Sequence, residues 1–266
     1  MIGVAALDLQ PPRCYQRYNT APSLQKLTVF CDFDGPIVDV SDRYYTTYQL
    51  ALVDTQASYQ AEGIPLPINV LKKQQFWQMK QDRVPDVEIA MRSGLQGAQI
   101  DFFLGRVLEI VNQPALLKKD KLQRGVNWAL ALLHSQGVRL VLVTLRSQSQ
   151  ATQILRNYGL TRLFSGIYGT CDQNAAYHNQ AELKTQLLFK AIAEQSLIAG
   201  RPISAWMVGD TEADIIAGQA LSIPTIALTC GIRSHLYLKQ FQPTRIDTDL
   251  LVAAHYLLEN TRVVQG

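Results

Sequence analysis

Two periodicities divide the chain. The apolar run LTVFCDF beginning at Leu27 predicts a strand from Leu27 to Phe33. From Ser41 a helical period takes over. In SDRYYTTYQLALVDTQASYQ, Tyr44, Tyr48, Ala51, Leu52 and Thr55 fall on one face, with Ser41 as the expected N-cap. NVLKKQQFWQMKQ, PDVEIAMRS and AQIDFFLGRVLEIVN supply three more helix candidates, separated by Pro and Gly breaks.

After Lys121 the pattern changes. KLQRGVNWALALLHSQG is an amphipathic helix stopped at Gly137, and VRLVLVTL is a continuous apolar run, as expected of a strand covered on both faces. Helices SQATQILRNYG, AELKTQLLFKAIAEQ and EADIIAGQALS then alternate with strands SGIYGT, SAWMVGD and PTIALTC, and TDLLVAAHYLLEN closes the chain as a helix. This alternation predicts βα units on a parallel sheet, an α/β core of the Rossmann-like, doubly wound kind. The core is split after its first strand. The expected organisation is a Pro- and Gln-rich tail over 1–23, a core over 24–40 and 121–266, and an inserted all-helical cap over 41–120. An insert at that point sits over the carboxyl ends of the strands, where open α/β sheets bind ligands, and so has the position of a lid.

Composition narrows the class. With 266 residues, 47% of them hydrophobic, the chain can bury a full core. A net charge of +3 with no basic stripe gives no argument for nucleic acid. Cys14, Cys31, Cys171 and Cys230 are scattered without metal-ligand spacing, as expected of a reduced, cytoplasmic protein. The start, MIGVAALDLQPPR, lacks the basic opening of a signal peptide, and no apolar run approaches the roughly 18 residues of a membrane span.

Polar residues at four places stand out. Asp32 and Asp34 close the first strand, and positions i and i+2 of a strand face the same way. A strand end with an Asp-Gly turn explains them as well as a proton-sharing pair or a hard-metal site does. Thr144 and Arg146 end the strand LVTLRS, where a hydroxyl and nearby amides can pack or can hold a phosphate oxygen. Lys184 on AELKTQLL reads by itself as a solvated helical lysine. In WMVGDTEADIIAG, Asp210 follows an apolar strand and Asp214 lies one turn into a helix. Acids there are usually caps, but Asp210, Glu212 and Asp214 are three acids in five positions, more than capping needs. Asp32, Asp34 and Asp210 on neighbouring strand ends would make an oxygen-rich site suited to Mg²⁺, whose charge would let the carboxylates sit together.

DFDG, VTLRS, a lysine heading a helix and GDTEAD, in that order, resemble the haloacid dehalogenase superfamily. The likeness is greatest to its phosphoglycolate phosphatase-like branch with a helical cap, and spans roughly Leu24 to Gln240. It implies that Asp32 is a nucleophile forming an aspartyl-phosphate and that Asp34 is the acid and base. It further implies that Thr144 and Lys184, with Arg146 on the substrate side, hold the phosphoryl oxygens. The Mg²⁺ site would be Asp32, Asp34 (by its carbonyl) and Asp210, with Asp214 orienting the outer shell. Two positions depart from the family pattern. Pro36 stands where Thr or Val is usual, and Lys184 lies in AELKTQ rather than before a proline, after a long CDQNAAYHNQ stretch.

The expected function is Mg²⁺-dependent hydrolysis of a small phosphorylated metabolite, phosphoglycolate-like, by a monomer or small homo-oligomer. A phosphomutase of the β-phosphoglucomutase type shares the same catalytic set, and a non-catalytic regulatory relative is the alternative from another class. The GDTEAD acids argue against a metal-free dehalogenase.

Overall fold

The computed structural model describes residues 27–263. The expected tail and the extreme C-terminus lie outside them. The first strand, β1 (Thr28–Cys31), is followed by a short β2 (Val38–Asp39) and by five helices: α1 (Ser41–Ala61), α2 (Lys73–Gln81), α3 (Asp86–Arg92), α4 (Ala98–Ile110) and α5 (Pro114–Leu117). The chain returns through β3 (Lys121–Leu122) to α6 (Val126–Ser135), β4 (Arg139–Ser147), α7 (Gln148–Asn157) and β5 (Phe164–Thr170). Then come α8 (Ala175–His178), α9 (Ala181–Ala199), β6 (Ala205–Gly209), α10 (Glu212–Ala220) and β7 (Thr225–Leu228). The C-terminal portion is α11 (His235–Lys239), β8 (Arg245–Asp247) and α12 (Leu250–Val263).

Six strands form one parallel sheet in the order β5-β4-β1-β6-β7-β8. The apolar runs are explained by burial on two faces. Val29, Cys31, Leu140, Leu142 and Val208 pack with Leu130 and Leu133 of α6, Leu155 of α7 and Leu257 of α12. Their neighbours Phe30, Val141, Val143 and Met207 pack with Leu188 and Ala191 of α9 and Ala217 of α10. Alternate side chains of one strand thus enter opposite layers, and burying each large one contributes roughly 1.5–3 kcal/mol. From β1 the chain builds outward to β4 and β5, then returns to β6 on the other side of β1. The ends of β1, β4 and β6 therefore meet where the winding reverses, the usual ligand position of such sheets.

Residues 41–117 contain helix and no strand. The α1 face expected from periodicity is buried at Tyr44, Tyr48, Ala51, Leu52 and Thr55. The expected cap is corrected: Ser41 lies inside the helix behind Val40, and its amide donates to the Asp39 carboxylate at 2.8 Å. The two chain crossings into and out of this segment are tied together. Val38 pairs with Leu122 and Asp39 with Lys121, antiparallel, the Gln123 amide donates to the Ile37 carbonyl, and Lys121 is 2.7 Å from Asp42.

Several boundaries differ from the sequence reading. β1 stops at Cys31 because Gly35, at φ +93°, turns the chain, and the amides of Ile37 and Val38 fold back onto the Phe33 carbonyl. The long stretch before Lys184 holds the short helix α8. β2, β3, β8, α5 and α11 were not expected; each is five residues or fewer, too short for periodicity to show.

Candidate active site

Asp32 follows β1, and its amide still donates to the Val208 carbonyl, so the residue is held at the sheet. Its carboxylate meets Lys184, whose ammonium lies 2.8 Å from Asp32 and 2.7 Å from Asp214. Lys184, which by itself reads as a solvated helical lysine, is 1% exposed on α9, as its place in the family likeness requires. Burial works against its charge, but Asp214 and Asp32 outweigh that and hold the ammonium above its usual range. Burial likewise raises Asp32, against the pull of Lys184 and with the push of Asp214, to about 7.

Asp210, Asp214 and Asp32 are all buried, with one oxygen of each within 4.8 Å of the others. Asp210 accepts the Ile232 amide at 2.7 Å; burial, then Asp32 and Asp214, push its carboxyl well up. Asp214 also does the capping work expected of an early helical acid: its Oδ2 accepts both the amide and the hydroxyl of Thr211. One ammonium against three carboxylates leaves negative charge over. Oδ1 of Asp210 has no hydrogen-bond donor, and Oδ1 of Asp32 and of Asp214 meet only the shared Lys184 ammonium. The carboxylates are seated on glycines: a Cβ at Gly35 or Gly231 would come within 2.1 or 1.9 Å of Asp210, and one at Gly209 within 2.1 Å of Asp214. Buried, hard, oxygen-only donors with unused lone pairs fit Mg²⁺.

Asp34 behaves differently. Its carboxylate is not in that cluster but turns to arginines. Arg146 Nε and Nη2 lie 2.9 and 3.1 Å from its two oxygens, and Arg43 Nη2 lies 3.3 Å away. Both arginines also bind Asp120, at 2.7 and 2.9 Å. The convergence expected of positions i and i+2 is thus broken by the turn after Cys31, and each aspartate has its own cation. Arg146, expected on the substrate side, is 2% exposed and directed at Asp34 and Asp120. Thr144 is buried, accepts the Arg146 amide at 3.1 Å and borders the pocket.

The pocket spans about 530 Å³, its open mouth included. Asp32, Asp34 and Thr144 form its floor, and Tyr44, Lys80, Arg83, Tyr177 and Arg233 its walls. Tyr44 is legible in the sequence only as part of the apolar face of α1, and the other wall residues do not stand out there. Lys80 is buried beside Asp86 at 2.7 Å and over the Tyr177 ring, and Arg233 and Arg83 share Glu212. Through these contacts the turn after α2 rests on the sheet ends, and the Ser234 amide donates to the Gln81 carbonyl. Arg43 had a faint signal: it lies four residues before Thr47, a charge at the edge of an otherwise apolar stripe.

Residues 29–228 match the model of the haloacid dehalogenase-like hydrolase family, and the chain belongs to that family. It is 28% identical over 119 residues to pyrophosphatase PpaX of Halalkalibacterium halodurans, covering 45% of this chain and 52% of that protein. It is 30% identical over 118 residues to a phosphoglycolate phosphatase of Neisseria gonorrhoeae, covering 44% and 47%. The chain thus spans about half the length of these two curated relatives. A solved haloacid dehalogenase-like hydrolase from Streptococcus pneumoniae superposes with a TM-score of 0.61 at 20% identity, over 88% of this chain and 99% of that one, a likeness of fold. No helix among the described residues is long and apolar enough to cross a membrane.

Proposed function

We propose that the chain is a Mg²⁺-dependent phosphomonoester hydrolase working through an aspartyl-phosphate. The observation that carries this reading is the buried Asp32, flanked by Lys184 and sharing a carboxylate cluster with Asp210 and Asp214, at the floor of a pocket with cationic walls. An Asp32 oxygen attacks phosphorus as the bond to the leaving oxygen breaks, and Asp34 supplies the proton that oxygen needs. Asp34 then takes a proton from water, which attacks the same phosphorus and frees Asp32 and inorganic phosphate. Lys184 and Thr144 hold the transferring oxygens, where charge stabilisation is most of the catalysis. Asp32, Asp210 and Asp214, with the Asp34 carbonyl, would hold Mg²⁺, which supplies neutralisation of the phosphoryl charge when bound.

The substrate class is a small phosphorylated metabolite. A phosphoglycolate-like ester is the first candidate, because the Neisseria gonorrhoeae relative carries that name. The helical segment 41–120 acts as a cap over it, supported by the contacts of Lys80, Arg83 and Gln81 with the sheet ends. The test is phosphate release from p-nitrophenyl phosphate and a panel of phosphorylated metabolites, with Mg²⁺ and with EDTA. Asp32→Asn should abolish release at an unchanged melting temperature. Full activity in excess chelator would remove the metal from the reading.

A further inference from the structure

Four side chains from four separate parts of the chain meet beside the pocket: Asp34 after β1, Arg43 in the first turn of α1, Asp120 just before β3, and Arg146 near the end of β4. Two arginines and two aspartates carry no net formal charge. Asp120 is among the most buried acids, and Asp34 borders the pocket. Arg146 faces both oxygens of Asp34, and Arg43 adds a second contact to one of them. Oδ2 accepts from both Arg146 Nη2 and Arg43 Nη2. Oδ1 is buried and lies 2.9 Å from Arg146 Nε. Arg43 is further fixed by Asn112 and the Val111 carbonyl at the end of α4.

We propose that Arg146, backed by Arg43 and Asp120, is a positioning residue that holds the Asp34 carboxylate side-on, Nε at Oδ1 and Nη2 at Oδ2, and so fixes the place and plane in which that carboxyl meets the leaving oxygen. This rests on the reading of Asp34 as proton donor given above. A planar guanidinium fixes both the place and the plane of a carboxylate, which an ammonium cannot do. The lock is closed by Arg43 and Asp120, which stand at the two crossings into the helical segment, already paired through β2 and β3. Proton delivery is thereby linked to the position of that segment, and Arg146 serves Asp34 rather than the substrate phosphate.

The experiment compares kcat and KM of the wild-type protein, Arg146→Lys, Arg43→Lys and Asp34→Asn with Mg²⁺, on p-nitrophenyl phosphate and on the best alkyl phosphate of the panel. Both lysine variants keep the buried cation, and a melting curve verifies that they fold. A nitrophenolate leaves without much help from a proton, whereas an alkoxide does not. Arg146→Lys should therefore lose about tenfold or more in kcat on the alkyl ester beyond its loss on the aryl ester, part of the roughly 10²–10⁴ that a general acid contributes. KM should be little changed, and Arg43→Lys should show the same signature, smaller. Equal losses on both esters, full activity on both, or a rise in KM alone would overturn the proposal, the last by making Arg146 a phosphate ligand. Asp34→Asn separates the two levels. If it too loses equally on both esters, the role of Asp34 as donor falls. If only the arginine variants do, the donor reading stands and the positioning role falls. Wild-type protein that releases phosphate from neither ester would remove both.

Discussion

A Cβ on Gly231 would lie 1.9 Å from Oδ2 of Asp210, so the backbone after β7 is pressed directly onto a buried carboxylate. The Ile232 amide, one residue on, donates to that same oxygen. Two contacts from one turn set where Asp210 points.

Gly231→Ala should push Asp210 out of register with Asp32 and Asp214. Gly231 is not among the glycines at positive φ, so the effect comes from overlap alone, about 1–3 kcal/mol of overpacking. The melting temperature should fall by several degrees, and the stabilisation by Mg²⁺ should shrink. An unchanged Mg²⁺ response would show that Asp210 need not be held there.

Lys184→Met removes the one ammonium among three buried acids. Breaking a buried pair in this way costs about 3–5 kcal/mol. Thermal melts in EDTA should show that loss, and Mg²⁺ should restore part of it by replacing the missing charge. Phosphate release should stay below a hundredth of wild type, because the phosphoryl oxygens lose their cation.

Asp210→Asn should behave in the opposite way without metal. Burial first, then Asp32 and Asp214, disfavour a charged Asp210, so the isosteric amide removes both the desolvation cost and the repulsion. Stability in EDTA should be equal to wild type or higher, while the Mg²⁺-dependent rise in melting temperature disappears. A wild-type Mg²⁺ response in this variant would place the metal elsewhere.

Pro36 follows Gly35 in the turn that ends β1. Proline fixes its own φ and disfavours the helical region for the residue before it, which Gly35 at φ +93° does not need. Pro36→Thr should therefore change kcat/KM by less than about tenfold, about 1.4 kcal/mol. A hundredfold gain would mark the natural loop as catalytically impaired.

The crossings at Val38–Asp39 and Lys121–Leu122 form one two-stranded ribbon. If the helical segment closes on a bound phosphate analogue such as beryllofluoride, amide exchange across Val38 to Val40 and Lys119 to Gln123 should slow. Exchange that stays the same with the analogue bound would describe a static segment.

Much of this molecule is legible in its sequence, for reasons that are local. Apolar runs such as LVLV and the buried stripe of α1 report burial through a period of two or 3.6, which the backbone itself imposes. The acids Asp32, Asp210 and Asp214 are visible because a carboxylate at the end of an apolar strand, or an excess of acids beyond a cap, has no packing reason. Their grouping follows from strand order, and parallel βα winding brings such ends together.

What the sequence could not carry is which partner each charged group takes, since that depends on contacts between distant segments. Lys184 looks like any lysine on a helix until α9 packs over the sheet and buries it between Asp32 and Asp214. Asp34 was expected to share a site with Asp32. The turn at Gly35 sends it instead to Arg146 and Arg43, one 112 residues away and the other nine. Asp120, Lys80 and Tyr177 gain meaning only where the helical segment meets the sheet. Periodicity records which side of an element is dry. Only the tertiary structure decides which charges neutralise one another there, because a buried charge is settled by its nearest opposite partner and not by its neighbours in the chain.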